Sequence, residues 1–505
     1  MTAPDHPIKP VSHRWLDRVE KLGNRLPHPV TLFILFALAV VFISALCGAM
    51  GVAATHPTTD EVLTARSLLS AEGARWMLSS AVSNFIHFAP VGPVVVAIMG
   101  IAVAEHSGLL ACLLSSLARR APPRLLSTAI IFTGILSSIG FDSGYVVLIP
   151  LAALIFKAAG RSPLAGIAAA FAGVSGGYSA NLVLGPVDAI LAGISTEALQ
   201  LVSSDEVLAS ANYFFIIVST LFISAIGAWV NDHWVEPRLA KPASSEPLTE
   251  EQDAPTASAD SQRRALRWVG VFTLVYVVAL LWLVLPQDGL LRNPDPNGLT
   301  ALPLLKGIVV FIALYAAIAG ALFGYLSGRY QRSNQWIEGM ESGVASLATY
   351  LVLMFFAAQF VNYFAWSGLG AIAAISGAQW LAQFDLSTTS LLLTFVLTSA
   401  AINLLIGSAS AKWALMAPIF VPMLYVLGVS PEAVQMAYRI GDSSTNIITP
   451  LMPYFGVVVA FVQRHEPSAG LGTLVALMLP YSLTFLLSWS LLLAVWIGFG
   501  LPLGY

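Results

Sequence analysis

Two apolar stretches of this chain are each interrupted by polar, glycine-rich and proline-rich sequence, and these interruptions constrain the fold more than any other feature. The later stretch begins N-L-L-I-G-S-A-S-A-K-W-A-L-M-A-P at 403–418 and ends Y-R-I-G-D-S-S-T-N-I-I-T-P-L-M-P at 438–453. Each part is apolar enough to lie in a bilayer but too interrupted to cross it as one regular helix. Because lipid cannot hydrogen-bond a backbone group that leaves a helix, such interruptions are tolerated only where protein or a water-filled cavity covers them. The pattern therefore predicts a buried site.

The earlier stretch, from Ser137 to Asp188, matches the later one at a fixed distance along the chain. An offset of roughly 268 residues aligns Pro150 with Pro418, Gly160 with Gly428, Ser162-Pro163 with Ser430-Pro431, Gly173 with Gly441 and Ser175 with Ser443. Paired interrupted segments at matching positions of two halves are typical of a secondary transporter, and they point to its binding site. The repeat therefore favours a transporter with its site between two related halves.

The composition indicates that the solvent around this chain is lipid. Charged residues make up 10% of the chain, whereas a soluble domain carries about 25%. Hydrophobic residues make up 57%, and the mean hydropathy is +0.79. A net charge of −3 gives no reason to expect a nucleic-acid partner. Cys47 and Cys112 lie far apart in apolar sequence, which favours two small buried side chains, and no motif predicts a cofactor.

The apolar segments predict an all-α polytopic membrane protein with nine transmembrane helices and two re-entrant hairpins. A hairpin arm of about 12–15 residues is shorter than the roughly 20 residues of a spanning helix, so each hairpin enters and leaves on one side. The chain is predicted to begin with a cytoplasmic N-terminal segment (1–29) and a first transmembrane half (30–232), which contains a re-entrant hairpin (125–156) and a broken helix (165–191). A cytoplasmic flexible loop (233–267) follows. The second transmembrane half (268–498) contains a hairpin (390–427) and a broken helix (433–462), and a C-terminal tail (499–505) ends the chain.

The distribution of basic residues predicts the orientation of these segments. With a cytoplasmic N-terminus, most of the 24 lysines and arginines fall in inner segments, as the positive-inside rule requires. The basic residues in outer segments are Arg66, Arg75, Arg292 and Lys306, while Lys412 and Arg439 fall at membrane depth. This topology puts the C-terminus on the outer side. It also has the two hairpins enter from opposite sides, so the repeats are predicted to be inverted.

Four long motifs together resemble the p-aminobenzoyl-glutamate transporter (AbgT) family. They are S-S-I-G-F-D-S-G-Y-V-V-L-I-P-L-A-A (137–153), S-A-N-L-V-L-G-P-V-D-A-I-L-A-G-I (179–194), I-N-L-L-I-G-S-A-S-A-K-W-A-L-M-A-P-I-F-V-P-M (402–423) and Y-R-I-G-D-S-S-T-N-I-I-T-P-L-M-P-Y-F (438–455). The resemblance implies a homodimeric transporter of the bacterial inner membrane, with a water-filled basin that faces the cytoplasm. It also implies p-aminobenzoyl-glutamate uptake, or p-aminobenzoate and sulfonamide efflux, driven by an ion gradient. The functional positions that it implies here are Asp188, Asn403, Ser410, Trp413, Pro431, Arg439, Asp442 and Pro450.

The residues themselves are compatible with a small aromatic carboxylate as substrate. Trp413 offers a ring face for stacking, and Lys412 or Arg439 offers positive charge for a carboxylate. Lipid-facing or core packing is the structural alternative for Trp413. Together with the positions that the resemblance implies, these side chains give a predicted substrate site of Asn403, Ser410, Lys412, Trp413, Pro431, Arg439 and Pro450.

A second group of residues is predicted to couple transport to a proton or sodium ion. Asp442 follows Arg439 by three residues, so on a helix the two are neighbours, either as a permanent ion pair or with Asp442 exchanging a proton or cation. Asp188 is either a helix cap near the outer surface or a second coupling carboxylate. The predicted coupling residues are Ser175, Asn181, Asp188, Asp442, Ser443, Thr445 and Asn446, with a sodium ion near Asn181, Asp442 and Asn446.

Three other functions remain open at this stage. A dicarboxylate or short-chain acid importer of similar design would need no aromatic surface. A membrane-embedded hydrolase would use Asp442 and Asp188 as paired carboxylates, although neither lies in a catalytic motif and catalysis leaves the repeat unexplained. A gated channel would conduct substrate without moving it uphill. Uphill transport, chemical change of the substrate and purely downhill flux distinguish these classes.

Overall fold

The structure is a computed structural model that describes residues 29–55, 62–119, 122–140, 144–239, 259–284, 286, 289–291, 307–452 and 454–505. It is helical except for a two-stranded antiparallel ribbon, β1 (Ala53–Thr55) and β2 (Val62–Thr64), in which Ala54 pairs with Leu63. The predicted all-α class is therefore confirmed apart from this ribbon. Residues 1–28 of the predicted N-terminal segment (1–29), much of the 233–267 loop and the tip of the first hairpin lie outside the described residues.

The helices are numbered here in chain order. They are α1 (Pro29–Ala49), α2 (Ala71–Ile86), α3 (Val91–His106), α4 (Leu109–Arg119), α5 (Leu126–Leu136), α6 (Ile149–Ala158), α7 (Pro163–Phe171), α8 (Pro186–Leu199), α9 (Tyr213–Val230), α10 (Ala259–Val284), α11 (Ile308–Ser327), α12 (Gln335–Ser346), α13 (Ala348–Trp366), α14 (Leu369–Ala382), α15 (Thr388–Asn403), α16 (Ala409–Val426), α17 (Pro431–Asn446), α18 (Phe455–Gln463) and α19 (Leu471–Gly498).

Eight segments of the described chain are long and apolar enough to cross a membrane. They are Val30–Ala49, Ala71–His106, Tyr213–Arg238, Asp260–Val284, Ile308–Ser327, Ala348–Trp366, Ala409–Val426 and Leu471–Gly498. Seven of them lie outside the predicted hairpins (125–156 and 390–427) and the predicted broken helices (165–191 and 433–462). Ala409–Val426 is the second arm of the predicted second hairpin, and the two predicted broken helices consist of helices too short to be counted.

The first repeat (residues 126–199) contains two pairs of short helices. Its predicted hairpin corresponds to α5, continued by a 3₁₀ turn at Ser137–Gly140, and α6, preceded by a π-helical turn at Gly144–Leu148. Its broken helix consists of α7, continued by a π-helical turn at Ala172–Gly176, and α8, with residues 177–185 outside regular helix between them. The predicted broken helix (165–191) therefore starts two residues late and ends eight residues early.

The second repeat (residues 388–463) has the same order of elements. Its hairpin is α15 and α16, and its broken helix is α17 and α18, interrupted at residues 447–454. The predicted bounds, 390–427 and 433–462, differ from these by one or two residues. At the two ends of the predicted 233–267 loop, short helical turns continue to Arg238 and α10 begins at Ala259.

The link between hairpin and broken helix has the same backbone geometry in both repeats. Gly160 and Gly428 adopt left-handed φ angles of 71° and 81°, which glycine accepts without steric cost. Two residues later Ser162 and Ser430 are extended, and a proline starts the next helix at its first position, where its missing N–H costs nothing. The sequence offset thus corresponds to a repeated local structure.

The broken helices form the centre of the molecule, and the hairpins pack tightly against them. A Cβ on Gly173 would lie 2.4 Å from the carbonyl oxygen of Ile131, and one on Gly441 would lie 2.4 Å from that of Val396. Only glycine permits this approach of the first hairpin arm to the broken helix in each repeat. Helix α10, by contrast, leaves most of its surface exposed, as a lipid-facing helix does.

Candidate functional site

A cavity of about 630 Å³ lies where both hairpin ends and both helix breaks meet. From the first repeat it is lined by Tyr145, Ser175, Tyr178, Val187, Ile190 and Leu191, and from the second by Gly407, Ser408, Ala409, Ser410, Asn446, Met452 and Tyr454. Helices α3, α12 and α13 form the opposite wall. The chain therefore places its interrupted backbone around a cavity, which is the environment that membrane-depth interruptions require.

Aromatic rings from both repeats line this cavity. Tyr145 of the first hairpin and Tyr454 of the second break stack with ring centroids 4.5 Å apart and planes 8° apart. Tyr178, in the first break, adds a third ring to the wall. Stacked rings of this kind offer a flat apolar face on which an aryl group can pack.

The polar lining comes from both sides of the cavity: Ser175, Asn446 and the start of α16 on one side, and Glu105, His106, Ser342 and Ser346 on the other. Ser408 caps α16 by accepting a hydrogen bond from the amide of Ala411 at 3.4 Å, and Ser410 lies in the first helical turn. A helix N-terminus carries partial positive charge and free amide donors, so it attracts anions. Ser175 Oγ is buried and has no hydrogen-bond partner among the described residues.

A buried ionic network lies behind this wall within the second repeat. Lys412 and Asp442 form an ion pair, and Lys412 Nζ also donates to Asn403 Oδ1. Asn403 Nδ2 donates to the carbonyl oxygen of Asp442 at 2.8 Å, to Thr445 Oγ1 at 2.9 Å and to Asn446 Oδ1 at 2.9 Å. Asn446 Nδ2 donates to Asp442 Oδ2 at 3.3 Å and lines the cavity. The network therefore connects a buried carboxylate to the cavity through one amide side chain.

A second buried ion pair joins the two repeats. Arg439 Nη1 of α17 lies 2.7 Å from Asp188 Oδ1, in the first turn of α8. The other oxygen of Asp188 accepts a hydrogen bond from the amide of Gly185 at 2.7 Å, and Arg439 Nη2 donates to the carbonyl oxygen of Ser179 at 3.2 Å. Asp188 is therefore a helix cap, but a buried one that also pairs with the opposite repeat.

The helical spacing of Arg439 and Asp442 suggested that they pair with each other, and the structure gives each a different partner. Asp442 pairs with Lys412 and Arg439 pairs with Asp188. Both pairs are buried, and none of the four side chains lines the cavity. The two carboxylates each face their own cation, unlike the paired carboxylates that the hydrolase alternative requires.

Trp413 is fully buried and does not line the cavity. Its indole Nε1 donates to Ser195 Oγ at 3.1 Å and to the carbonyl oxygen of Leu191 at 3.2 Å, both on α8 of the first repeat. Its ring packs on Tyr438, with centroids 4.4 Å apart. In this conformation Trp413 joins the two repeats, as the packing alternative expected, and offers no open face to a ligand.

The remaining residues of the predicted site lie in the breaks or on α17. Ser443 Oγ accepts from the amide of Ser179 at 3.1 Å, and Asn181 Nδ2 donates to Ser138 Oγ at 2.9 Å. Pro450 is half-buried in the second break, whereas Pro431 starts α17, about 22 Å along the helix from Asn446. Ser175, Ser410 and Asn446 thus line the cavity directly, and Pro431 lies farthest from it.

The tyrosines of the cavity and its lining residues on α3, α12 and α13 were not predicted from the sequence. The offset between repeats aligns Tyr145 with Trp413, so applying it to the predicted tryptophan would have indicated this ring. Glu105 and His106, at the end of α3, also line the cavity. His106 Nδ1 lies 3.1 Å from the Tyr330 hydroxyl.

Comparisons with known proteins agree on one family. The sequence profile described as the "AbgT putative transporter family" matches residues 14–505. The chain is 36% identical over 487 residues to the p-aminobenzoyl-glutamate transport protein of Escherichia coli K12, covering 96% of this chain and 95% of that one. Among solved structures, the YdaH transporter of Alcanivorax borkumensis is similar with a TM-score of 0.90 and 52% identity, over 95% of this chain and all of that one. MtrF of Neisseria gonorrhoeae, described among antimetabolite efflux pumps, is similar with a TM-score of 0.89 and 43% identity, over 96% and 97% of the two chains.

Proposed function

The chain belongs to the AbgT transporter family, and from that premise we propose that it is an ion-gradient-driven secondary transporter of small aromatic carboxylates. The observation that carries this proposal is the cavity between the repeats, which has stacked tyrosines on one side and a helix N-terminus on another. The proposed substrates are p-aminobenzoyl-glutamate, in the uptake direction, and p-aminobenzoate and sulfonamides, in the efflux direction. The name of the Escherichia coli relative and the description of MtrF support these two classes.

The cavity supports a specific way of holding such a substrate. The aryl ring packs against Tyr145 and Tyr454, which already stack on each other from opposite repeats. The carboxylate faces the N-terminus of α16, where Ser410 and the free amides of the first turn lie. Ser175 Oγ supplies a hydrogen bond that the protein itself does not use among the described residues. Lys412, Trp413 and Arg439 act behind the cavity wall and hold the elements that form it.

The coupling ion acts on the network around Asp442. Asn446 lies between the cavity and Asp442, so a proton or sodium ion arriving from the cavity reaches the carboxylate through this amide. Binding there weakens the ion pair with Lys412 and frees Asn403 to change partners. For sodium, the oxygens of Asp442 and Asn446, with Asn181 in the opposite break, supply ligands of the type that hard cations prefer. Asp188 is the second coupling carboxylate, through its pair with Arg439.

We further propose the membrane arrangement that fits these repeats. The chain crosses the bacterial inner membrane nine times, with each broken helix as one crossing and each hairpin re-entrant, and the two repeats are inverted. The N-terminus is cytoplasmic and the C-terminus periplasmic. Two copies form a dimer scaffold, and the hairpins with the broken helices move as one unit against it. The packing of each hairpin on its own broken helix supports this grouping.

The first test is transport of labelled p-aminobenzoate and p-aminobenzoyl-glutamate into and out of proteoliposomes. Proton and sodium gradients are imposed separately, and accumulation is measured against the imposed gradient. We expect uphill movement of at least one compound under one of the two gradients. Equilibration without uphill movement, in folded protein, would support a channel, and chemical alteration of the compound would support a hydrolase.

The coupling role of Asp442 is tested with Asp442→Asn in the same vesicles. We expect this variant to lose uphill transport, because an amide cannot exchange a proton and binds sodium more weakly than a carboxylate. Glu72→Gln is the matched control, since Glu72 is an exposed carboxylate in the first turn of α2. Gradient-driven accumulation by Asp442→Asn at the wild-type level would remove Asp442 from the coupling mechanism.

The aromatic specificity is tested with Tyr454→Leu, compared with Tyr454→Phe. The phenylalanine keeps a ring face next to Tyr145, and leucine does not. We expect Tyr454→Leu to raise the KM for p-aminobenzoate several-fold, whereas Tyr454→Phe stays close to the wild type. Efficient transport of aliphatic dicarboxylates, unaffected by either change, would instead favour the dicarboxylate importer.

A further inference from the structure

A second cavity, of about 670 Å³, lies between the first hairpin and the helices α4, α10 and α11. It shares no lining residue with the cavity between the repeats. Its walls are Leu110, Leu113, Leu114 and Ser116 of α4, Leu136, Ser137 and Ile139 of the hairpin, Arg263, Leu266, Arg267, Val269, Gly270 and Thr273 of α10, and Tyr315 of α11. The proposed transport cycle uses none of these side chains.

One end of this cavity is strongly basic. Arg263 and Arg267 are exposed and one helical turn apart on α10, so both guanidinium groups lie on the same face. Neither forms an ion pair with a carboxylate in the part of the chain that the structure describes. No aspartate or glutamate lines the cavity among these residues either. The basic end is therefore electrostatically suited to an anion.

The rest of the cavity is apolar. Leucines from α4 and from the hairpin face Leu266, Val269 and Gly270 of α10. The lining residues of α10 run from Arg263 to Thr273, which is about 15 Å along the helix. Gly270 is exposed, and a Cβ placed on it would meet no atom within 4 Å. An apolar groove of this length, beside two arginines without an ion-pair partner among the described residues, matches an amphipathic anion with a long chain.

We propose that this cavity binds an anionic phospholipid. Its phosphate lies between Arg263 and Arg267, where two guanidinium groups form charge-assisted hydrogen bonds with its oxygens. One acyl chain lies in the apolar groove beside Gly270 and Leu136. Basic pockets between transmembrane helices are suited to anionic headgroups, and α10 is the least buried of the candidate spans in the described chain. Because its chain contacts both α10 and the first hairpin, the lipid bridges the outer helices and the hairpin.

The first experiment measures lipid binding to purified full-length protein by native mass spectrometry. Phosphatidylglycerol and phosphatidylcholine with identical acyl chains are titrated onto the wild type and onto Arg263→Gln/Arg267→Gln. The control is Arg238→Gln/Arg264→Gln, which removes the same charge from exposed arginines that do not line the cavity. We expect the first double variant to weaken phosphatidylglycerol binding roughly 30-fold, at about tenfold per 1.4 kcal/mol and about 1 kcal/mol per arginine. An equal loss in both double variants would overturn the proposal.

The second experiment separates a lipid from a free anion, using inorganic phosphate as the competitor. Gly270→Phe fills the apolar groove and leaves both arginines in place, and Gly498→Phe is its control because Gly498 is also exposed with open space at its Cβ. We expect Gly270→Phe to abolish tight phosphatidylglycerol binding, and millimolar phosphate not to displace the lipid from the wild type. Displacement by phosphate together with unchanged binding to Gly270→Phe would show a free-anion site and overturn the lipid assignment.

Discussion

In the first repeat the hairpin is attached to the broken helix through a neutral hydrogen bond, from Asn181 Nδ2 to Ser138 Oγ at 2.9 Å. In the second repeat the corresponding junction contains a buried ion pair between Lys412 and Asp442, with Asn403 bonded to both. The backbone around the two junctions is alike, since a glycine allows the same close approach in each. The difference therefore lies in the chemistry of the side chains and not in the local fold.

The aligned positions of the two repeats differ in charge at the centre of the molecule. The positions of the first repeat that align with Asn403, Lys412, Arg439 and Asp442 are Ile135, Gly144, Phe171 and Val174. All the membrane-depth charges of the second repeat are thus replaced by apolar residues or glycine. Among the described residues, the first repeat contributes Asp188 to the central ion pairs, and Asp188 lies beyond the break. The Arg439–Asp188 pair is a buried charged contact through which a change at the second repeat can reach the first.

The first repeat instead carries its ion pairs at its edge. Arg161, between the first hairpin and its broken helix, contacts Asp232 at 2.6 Å and pairs with Glu236, both of which follow α9. It also donates to Ser127 Oγ at 2.9 Å, at the start of the hairpin. The aligned residue of the second repeat is Val429, which cannot form such a contact. The first repeat therefore has an ion-pair cluster around Arg161 at its edge, whereas the second has the Lys412–Asp442 pair at its centre.

The largest effect should come from breaking the central pair of the second repeat. Lys412→Met leaves the Asp442 carboxylate buried without its cation, and breaking a buried pair in this way costs about 3–5 kcal/mol. We expect a marked fall in the thermal unfolding temperature in detergent and no gradient-driven transport. The double variant Lys412→Met/Asp442→Leu removes both charges, so it should recover much of the stability but none of the transport. A single variant as stable as the wild type would show that this pair does not hold the second repeat.

The next effect should come from the pair that joins the repeats. Arg439→Gln leaves Asp188 without its cation, at a cost near the lower end for buried pairs, about 3 kcal/mol, because Asp188 keeps its bond to Gly185. Unfolding of Arg439→Gln, Asp188→Asn and the double variant gives a thermodynamic cycle. We expect the double variant to be more stable than the sum of the single changes predicts. Strict additivity would mean that the two side chains act independently and that the repeats are not coupled through them.

The architecture was largely predictable from the sequence, because its determinants are local. Interrupted apolar sequence fixes where helices end, and the matched glycines and Ser-Pro pairs fix how each broken helix starts. The bounds of the second hairpin were accordingly close. The first broken helix was less accurate, since alanine-rich sequence continues α8 to Leu199 without a signal for its end.

The partners of the buried charges were not predictable from spacing. A separation of three residues placed Arg439 beside Asp442 on the helix surface, but that rule covers only neighbours along one helix. The actual partners, Asp188 and Lys412, come from other elements that the fold brings into contact. For the same reason Trp413 was predicted to face a substrate, although its indole bonds to α8. Tertiary contacts decided each of these assignments.

A smaller effect tests whether the packing of the two repeats is as symmetric as their backbones. Gly173→Ala and Gly441→Ala each place a Cβ 2.4 Å from a backbone carbonyl oxygen of the hairpin arm. Overpacking of this kind costs about 1–3 kcal/mol, so we expect the two variants to lower the unfolding temperature by similar amounts. Gly456→Ala in α18 is the control, since its Cβ meets no atom within 4 Å. A clear inequality between Gly173→Ala and Gly441→Ala would show that the repeats differ in packing as well as in charge.

The smallest expected effects concern Ser175 and Ser443, which occupy equivalent positions in the two repeats. Ser443 Oγ accepts a hydrogen bond from the buried amide of Ser179, so Ser443→Ala should cost about 1 kcal/mol of stability. Ser175 Oγ has no such partner among the described residues and lines the cavity, so Ser175→Ala should leave the unfolding temperature unchanged. Its effect should appear instead as a higher KM for p-aminobenzoate. The contrary result is a Ser175→Ala variant that is as destabilised as Ser443→Ala and has an unaltered KM. Both serines would then stabilise the fold, and Ser175 would have no role in binding substrate.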